Sequence, residues 1–142
     1  MSQINYFFEE IKNCKHQLPP KKWLKLCAEK EERKIGCLNF IFCSDIYLRQ
    51  INEKYLNKSY LTDVISFKND YENSAKTIVI SGDIFISIDR VKENKKTYKT
   101  IFAKELQRVM IHGLLHLIGY NDSTRKEKEL MTRKENSYIN LL

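Results

Sequence analysis

The segment HGLLHLIGYND, residues 112–122, is the most informative stretch of this sequence, because it predicts a helix, a turn and a metal site. His112 and His116 are four residues apart in an apolar run, so on a helix both imidazoles lie on one face and can reach a single ion. Gly119 permits a sharp turn after the helix, and Asp122 can then return toward the same ion. The segment therefore predicts a metal site of His112, His116 and Asp122 with a fourth position open for water. We expect one Zn²⁺ ion, although iron(II) and manganese also accept two histidines and a carboxylate.

A second interpretation treats His112 and His116 as core histidines that bond to backbone carbonyls. Two buried imidazoles without a metal would need two separate hydrogen-bonding solutions. Two of the three histidines in the chain occur at ligand spacing in this helix, whereas His16 stands alone in a polar stretch and is expected at the surface. We therefore favour the metal site.

The spacing also resembles the H-E-x-x-H-x-x-G-x-x-H pattern of metzincin proteases. In that pattern the Glu after the first His is the general base that activates water. Gly113 occupies that position here. A zinc metallopeptidase is accordingly an alternative function, and it ranks second.

The segments around this motif predict an α+β fold. A helix over residues 100–118 is apolar nearly all round from Val109 onward, which indicates burial. Strands are predicted at residues 4–8, 34–43, 62–67 and 77–88, with polar loops at 57–61 and 68–76. The other helices are predicted after Pro20, from Ser44 or Asp45 to about Tyr55, over 89–96, and from Ser123 or Thr124 to about Leu141. We expect one domain, residues 1–142, with a small mixed β-sheet of about four strands packed with about five helices, the central buried helix carrying the metal ligands.

Composition and cysteine placement bound the class of protein. Of the 142 residues, 42% are hydrophobic and 30% are charged, which is typical of a globular domain. No run of about 18 apolar residues could span a bilayer, and the first residues lack the pattern of a secretory signal, so we expect a soluble, cytoplasmic protein. The four cysteines form no C-x-x-C pair and lie in apolar or amphipathic stretches, so we expect them to be reduced, with no disulfide-linked partner.

The net charge of +7 is unevenly distributed along the chain. Between positions 89 and 108 there are seven Lys and Arg against three Asp and Glu. Such an excess favours anionic partners such as nucleic acid, because phosphates attract Lys and Arg with release of counterions. An AT-rich genome, which enriches Lys, Asn and Ile, would explain the same composition without any partner.

Three sequence blocks resemble the YbeY family of zinc-dependent endoribonucleases. Residues 112–122 are similar to its H-G-x-L-H-L-x-G-Y-D-H signature. TDVISF at 62–67 is similar to its T-D-V-L-S-F, and SGDIFIS at 81–87 is similar to its G-D-I-x-I-S. The resemblance covers residues 52–131. It implies a single-strand-specific, metal-dependent endoribonuclease that acts in ribosomal RNA maturation, including 16S rRNA 3′ end processing, and in ribosome quality control.

The resemblance also implies partners and further site residues. The partners would be single-stranded RNA, ribosomal RNA and the small ribosomal subunit. Asp63 and Ser66 lie in a block that the family places near its cleft, so they are candidates for orienting water or substrate; a turn-capping Asp63 and a solvent-facing Ser66 are the alternatives. The basic segment next to the ligand helix supplies the expected contacts with RNA phosphates: Arg90, Lys92, Lys95, Lys96 and Lys99.

Two positions depart from the family pattern. The family's third ligand is usually His, whereas position 122 is Asp, which still binds zinc but is a harder ligand. The family usually has Arg after the Tyr that precedes T-D-V, whereas Leu56 follows Tyr55. Because a phosphate contact by that Arg has no counterpart at Leu56, a ribosome assembly factor with a structural metal is a third interpretation.

Overall fold

The structure of the protein is a computed structural model that describes residues 2–57, 62–69 and 78–142. Within these residues the chain forms four strands and five α-helices, with a single 3₁₀ turn at Lys15–Gln17. Their order is β1 Gln3–Glu9, α1 Lys21–Lys30, β2 Arg33–Cys43, α2 Asp45–Leu56, β3 Val64–Lys68, β4 Ile78–Ser87, α3 Ile88–Thr97, α4 Phe102–Ile118 and α5 Arg125–Ile139.

The four strands form one mixed sheet in the order β1-β2-β4-β3. The pairs β1·β2 and β2·β4 are parallel, and β3 runs antiparallel to β4 with Ile65 opposite Phe85. The last two strands, β3 and β4, are therefore antiparallel neighbours at one edge of the sheet. The loops predicted at 57–61 and 68–76 lie largely outside the described residues.

The main core lies between the sheet and α4. Its largest fully buried side chains alternate along the two central strands and recur along α4: Leu38, Phe40, Phe42, Ile80, Ile84, Ile86, Leu106, Met110, Ile111 and Leu114. Full burial of one such side chain contributes about 1.5–3 kcal/mol, so this contact fixes α4 firmly on the sheet. A smaller apolar cluster includes Cys43 of β2, Leu48 of α2 and Ile65 of β3.

The end of α4 is set by Gly119, which has a φ of 123°. The amide N–H groups of Gly119 and Tyr120 both donate to the carbonyl of Leu115, at 3.1 and 3.0 Å, so the last turn of α4 is closed. The next helix, α5, begins with a capping box in which Thr124 and Glu127 each bond the other's backbone N–H. A short, well-defined loop therefore joins α4 to α5.

The predicted α+β class, with about four strands and about five helices, is confirmed. Of the helices in the described ranges, none is both long and apolar enough to cross a membrane. The cysteines are all free: Cys14, Cys27 and Cys43 are buried, and Cys37 is half-buried.

Candidate metal centre and cleft

The structure brings the three predicted ligand side chains together. Helix α4 carries His112 and His116 one turn apart, and their Nε2 atoms are 2.9 Å from each other. After the turn at Gly119 the chain returns, and Asp122 Oδ2 lies 3.3 Å from His112 Nε2 and 3.6 Å from His116 Nε2. Among the described residues, no other group of three His, Cys, Asp or Glu side chains has this proximity.

These separations fit one metal ion. Ligand atoms 2.0–2.1 Å from a tetrahedral Zn²⁺ lie about 3.3 Å from one another, and the observed separations bracket that value. Two imidazole nitrogens and one carboxylate oxygen are also a donor set that zinc accepts. The residues present therefore fit the metal.

Each histidine is oriented through its other ring nitrogen. His112 Nδ1 is 2.6 Å from Glu135 Oε2, and His116 Nδ1 is 2.9 Å from the carbonyl oxygen of Tyr120. Because both partners accept hydrogen bonds, each neutral imidazole carries its hydrogen on Nδ1 and presents a lone pair at Nε2. Three acceptor atoms thus converge, and a cation at their centre would offset their mutual repulsion.

The charge environment of His112 is strongly acidic. Burial works to lower its pKa, but the hydrogen bond to Glu135 and the negative charges of Glu135, Asp122 and Asp63 outweigh burial and leave the pKa above its ordinary value. A site that stabilises the positive charge of an imidazolium also stabilises the positive charge of a metal ion.

Two of the three ligand side chains border an open cleft of about 1130 Å³. Both His112 and Asp122 line it, and the helices α4 and α5 form much of its wall. Four basic side chains also line the cleft, Lys99, Lys104, Arg108 and Lys128, together with four carboxylates, Asp63, Glu105, Asp122 and Glu135. The cleft therefore offers cations to an anionic substrate beside an acidic ligand cluster.

Asp63 lies in the same cleft as the ligands. Its Oδ2 accepts a hydrogen bond from Asn94 Nδ2 at 3.1 Å, and its carbonyl accepts one from the amide of Ser87 at 2.9 Å. Glu105, which is buried, also lines the cleft. Burial raises the pKa of Glu105 against the opposing charge of Arg108.

Ser66 does not reach the ligand cluster directly. Its hydroxyl donates to the carbonyl of Gly113 at 3.0 Å and so ties β3 to the helix turn between the two histidines. A Cβ atom at Gly113 would lie 2.7 Å from Ile84 Cγ2 and 3.1 Å from Val64 Cγ2. Position 113 therefore faces the sheet, and the base of a metzincin site would have no room there.

The predicted phosphate contacts are only partly brought to the cleft. Lys99 lines it, whereas Arg90, Lys92, Lys95 and Lys96 are not among its lining residues. Arg90 is instead ion-paired with Asp45 at 3.1 Å. Lys104, Arg108 and Lys128 were not among the predicted contacts, although Lys104 and Arg108 belong to the same basic stretch.

Glu135 is a further residue of the site that the sequence prediction missed. Its side chain is only 7% exposed and contacts His112. The signal was present in α5, because Met131, Glu135 and Tyr138 are spaced at i, i+4 and i+7 and all three are buried. A carboxylate on the inner face of an amphipathic helix needs a partner, and the partner here is His112, a predicted metal ligand.

An α+β fold with a candidate three-ligand metal site, at a cleft that carries four Lys and Arg side chains, suits a metal-dependent hydrolase for an anionic substrate. Residues 5–142 match the family model described as Endoribonuclease YbeY. A protein of that name from Karelsulcia muelleri is 46% identical over 96% of this chain and 93% of its own length, and one from Cytophaga hutchinsonii is 46% identical over 96% and 94%. The chain belongs to the YbeY family.

The fold has a counterpart among solved structures. A protein of Thermotoga maritima, known from its solution structure, superposes with a TM-score of 0.63 at 25% identity. The match covers 95% of this chain and 87% of the Thermotoga chain. The likeness therefore extends over nearly the whole fold.

Proposed function

We propose that this protein is a metal-dependent endoribonuclease that cleaves single-stranded RNA at the centre formed by His112, His116 and Asp122. The observation that carries the proposal is the convergence of two Nε2 atoms and one carboxylate oxygen within 4.8 Å of one another, at a cleft lined by His112, Asp122 and four Lys and Arg side chains. Family membership supports the same activity, because the relatives bear the name endoribonuclease. The resident metal is zinc in this proposal, which the ligand set and the separations favour.

The side chains of the cleft have separate roles in this proposal. A zinc ion held by His112, His116 and Asp122 would supply Lewis acidity toward a phosphate oxygen and a water molecule. His112 and His116 hold their Nε2 atoms inward through Glu135 and the Tyr120 carbonyl. Asp122, whose side chain is 41% exposed, is the ligand most open to the incoming substrate.

Basic side chains bind the RNA backbone. Lys99, Lys104 and Lys128 line the cleft, so they are the proposed phosphate contacts nearest the ligands. Arg108 also lines it, but its guanidinium is paired with Glu135 at 3.0 Å. Lys92, Lys95 and Lys96 on α3 extend the basic surface beyond the cleft. Arg90 contributes less, because Asp45 already neutralises its charge.

Two further residues assist without binding the metal. Asp63 is proposed to orient water or substrate, since it lines the cleft and its charge acts on His112. Ser66 is proposed to act through α4, because its hydroxyl donates to Gly113 and supports the turn that carries both histidines.

The substrate in the cell is proposed to be ribosomal RNA. The family resemblance supports maturation of the 16S rRNA 3′ end on the small ribosomal subunit, with a part in ribosome quality control, and a cytoplasmic location follows from that substrate. The open cleft suits a strand without a paired partner, because an unpaired strand can bend its phosphate toward the ligands.

The test compares wild type, His116→Ala and His16→Ala. Each protein is assayed for bound metal and for binding to purified ribosomes, and is incubated with single-stranded RNA and with casein. We expect wild type and His16→Ala to bind zinc and cleave RNA, and His116→Ala to lose both, because His16 is exposed and remote from the site in sequence. RNA cleavage that persists unchanged in metal-free His116→Ala would overturn the proposal. Cleavage of casein alone would favour a peptidase, and ribosome binding without cleavage would favour an assembly factor.

A further inference from the structure

A buried carboxylate joins a metal ligand to the wall of the cleft. Glu135 of α5 is 6% exposed and uses its two oxygens on different partners. Oε2 is 2.6 Å from His112 Nδ1, and Oε1 accepts from Arg108 Nη1 at 3.0 Å. Arg108 is fixed in turn by Asn136, whose Oδ1 accepts from Nη2 at 2.8 Å.

We propose that Glu135 is a positioning residue for the metal centre, holding the His112 imidazole in the tautomer and orientation that present Nε2 to the ion. The inference rests on the metal site of the proposed function. It adds a residue outside the ligand set and assigns Arg108 the task of holding the far oxygen of the carboxylate.

The chemistry follows from the two hydrogen bonds. A neutral imidazole carries its hydrogen on either ring nitrogen, and only the Nδ1–H form leaves Nε2 free to bind a metal. A carboxylate at Nδ1 selects that form and raises the electron density that Nε2 offers. His116 receives its support from a backbone carbonyl, which no side-chain change removes. Of the two groups that orient the histidines, Glu135 is therefore the one whose side chain can be changed to alter zinc affinity.

Arg108 makes this arrangement sustainable in a buried position. A carboxylate taken out of water needs charged or polar partners on both oxygens. Arg108 supplies a permanent positive charge at Oε1, and its side chain is 36% exposed toward the cleft. Glu135 can then remain a hydrogen-bond acceptor for His112 without turning toward solvent.

A purely structural interpretation is that Glu135 pairs with Arg108 to attach α5 to α4. That interpretation predicts a loss of stability in the metal-free protein and no change in zinc affinity. The positioning role predicts a loss of zinc affinity instead. Measurements of zinc affinity and of the unfolding of the metal-free protein therefore distinguish the structural interpretation from the positioning role.

The experiment measures zinc affinity by competition with a chromophoric chelator in wild type, Glu135→Gln and Glu129→Gln. Glu135→Gln keeps the size of the side chain and removes its charge. We expect it to bind zinc roughly 10–100-fold more weakly, the usual cost of losing such a partner of a ligand. Glu129 lies on the same helix, is 60% exposed and pairs with Arg125, so Glu129→Gln should match wild type. An affinity of Glu135→Gln within threefold of wild type would overturn the inference.

A second measurement uses only the wild-type protein. Nitrogen-15 NMR of the zinc-loaded protein should show His112 with its hydrogen on Nδ1 and its Nε2 bound to zinc. The opposite tautomer, with zinc on Nδ1, would overturn the inference even if Glu135→Gln failed to fold. Both measurements are made without RNA. A wild-type protein that binds zinc as expected but does not cleave RNA would therefore end the proposed function alone.

Discussion

At the scale of single residues, Asp122 is the carboxylate member of the proposed metal centre. Its carboxylate oxygen completes the cluster at 3.3 and 3.6 Å from the two imidazole nitrogens. A carboxylate is a harder ligand than an imidazole and is more acceptable to manganese. The choice of Asp at this position therefore bears on which metal the protein selects.

Substitution of Asp122 should change metal preference. Asp122→His should increase the preference for zinc over manganese, because a third imidazole is the softer ligand. Asp122→Asn should weaken zinc binding by more than about 10-fold, the lower bound for losing even an outer partner of a ligand. Competitive metal binding followed by elemental analysis measures both effects. An unchanged zinc-to-manganese ratio in Asp122→His would contradict the assignment of Asp122 as a ligand.

Gly113 is a residue whose importance lies in packing. In an exposed helix, Gly→Ala stabilises by up to about 1 kcal/mol. At Gly113 the new methyl would meet Ile84 Cγ2 at 2.7 Å, so we expect Gly113→Ala to destabilise the fold by roughly 1–3 kcal/mol. Urea unfolding in the presence of a chelator measures this without the contribution of bound metal. A stabilised variant would show that the sheet does not constrain this turn of α4.

At the scale of elements, the carboxylate of Glu31 connects the end of α1 to the turn after α4 and to α5. Glu31 follows α1 and accepts hydrogen bonds from Tyr120 at 2.5 Å, from Lys134 at 2.9 Å and from the hydroxyl of Tyr138. Tyr120 lies in the turn after α4, and its own carbonyl oxygen contacts His116 Nδ1. Lys134 and Tyr138 belong to α5. Glu31 thus connects three parts of the structure that must stay in register for the site to form.

Glu31→Gln should destabilise the protein in a pH-dependent way. Burial raises the pKa of Glu31, but hydrogen bonds from Lys134, Tyr120 and Tyr138 outweigh burial and leave the pKa below its ordinary value of 4.5. A depressed carboxyl pKa stabilises the fold above the unfolded pKa, and this stabilisation is lost as pH falls through the folded pKa.

Urea unfolding at pH 7 should therefore show Glu31→Gln less stable than wild type by about 1.5–3 kcal/mol, the usual range for hydrogen bonds to a charged group. The difference should shrink once the pH falls below about 4.5. Glu32→Gln, at an exposed neighbouring position, is the matched control and should behave as wild type. A difference that is constant from pH 7 to pH 3 would contradict the ionised state of Glu31.

Local patterns accounted for the elements and for the proximity of His112, His116 and Asp122, because those depend on neighbours in sequence. The spacing of His112 and His116 and the turn at Gly119 are properties of one short segment. Glu135 was missed because its role depends on how α5 packs on α4. Arg90 was expected at the substrate surface, but the fold places it beside Asp45 of another helix. Contacts between distant segments were thus the part that required the structure.

At the scale of the whole molecule, part of the positive charge behind the net charge of +7 comes together at the cleft. Lys99, Lys104 and Lys128 belong to the segment before α4, to α4 and to α5, and only the fold brings them to one cleft, which four carboxylates also line. A phosphate backbone bound there would release counterions in proportion to the number of contacts. The strength of RNA binding should therefore depend steeply on salt.

Lys128→Gln should reduce this salt dependence. Loss of one phosphate contact lowers the slope of log affinity against log salt concentration by about 0.7 for a single strand. Lys126→Gln on the same helix is the control, because Lys126 is exposed but does not line the cleft. Fluorescence anisotropy with a labelled single-stranded RNA at several salt concentrations measures both slopes. Equal slopes for the two variants would remove Lys128 from the binding surface.

The central claim is that one metal ion held by His112, His116 and Asp122 enables the protein to cleave RNA. The most direct measurement is a zinc titration of the chelator-treated protein, with cleavage of single-stranded RNA as the readout. We predict no cleavage without metal, a linear recovery of activity, and a plateau at one equivalent of zinc per chain. Full cleavage by the metal-free protein, or a zinc-loaded protein that stays inactive, would contradict the claim.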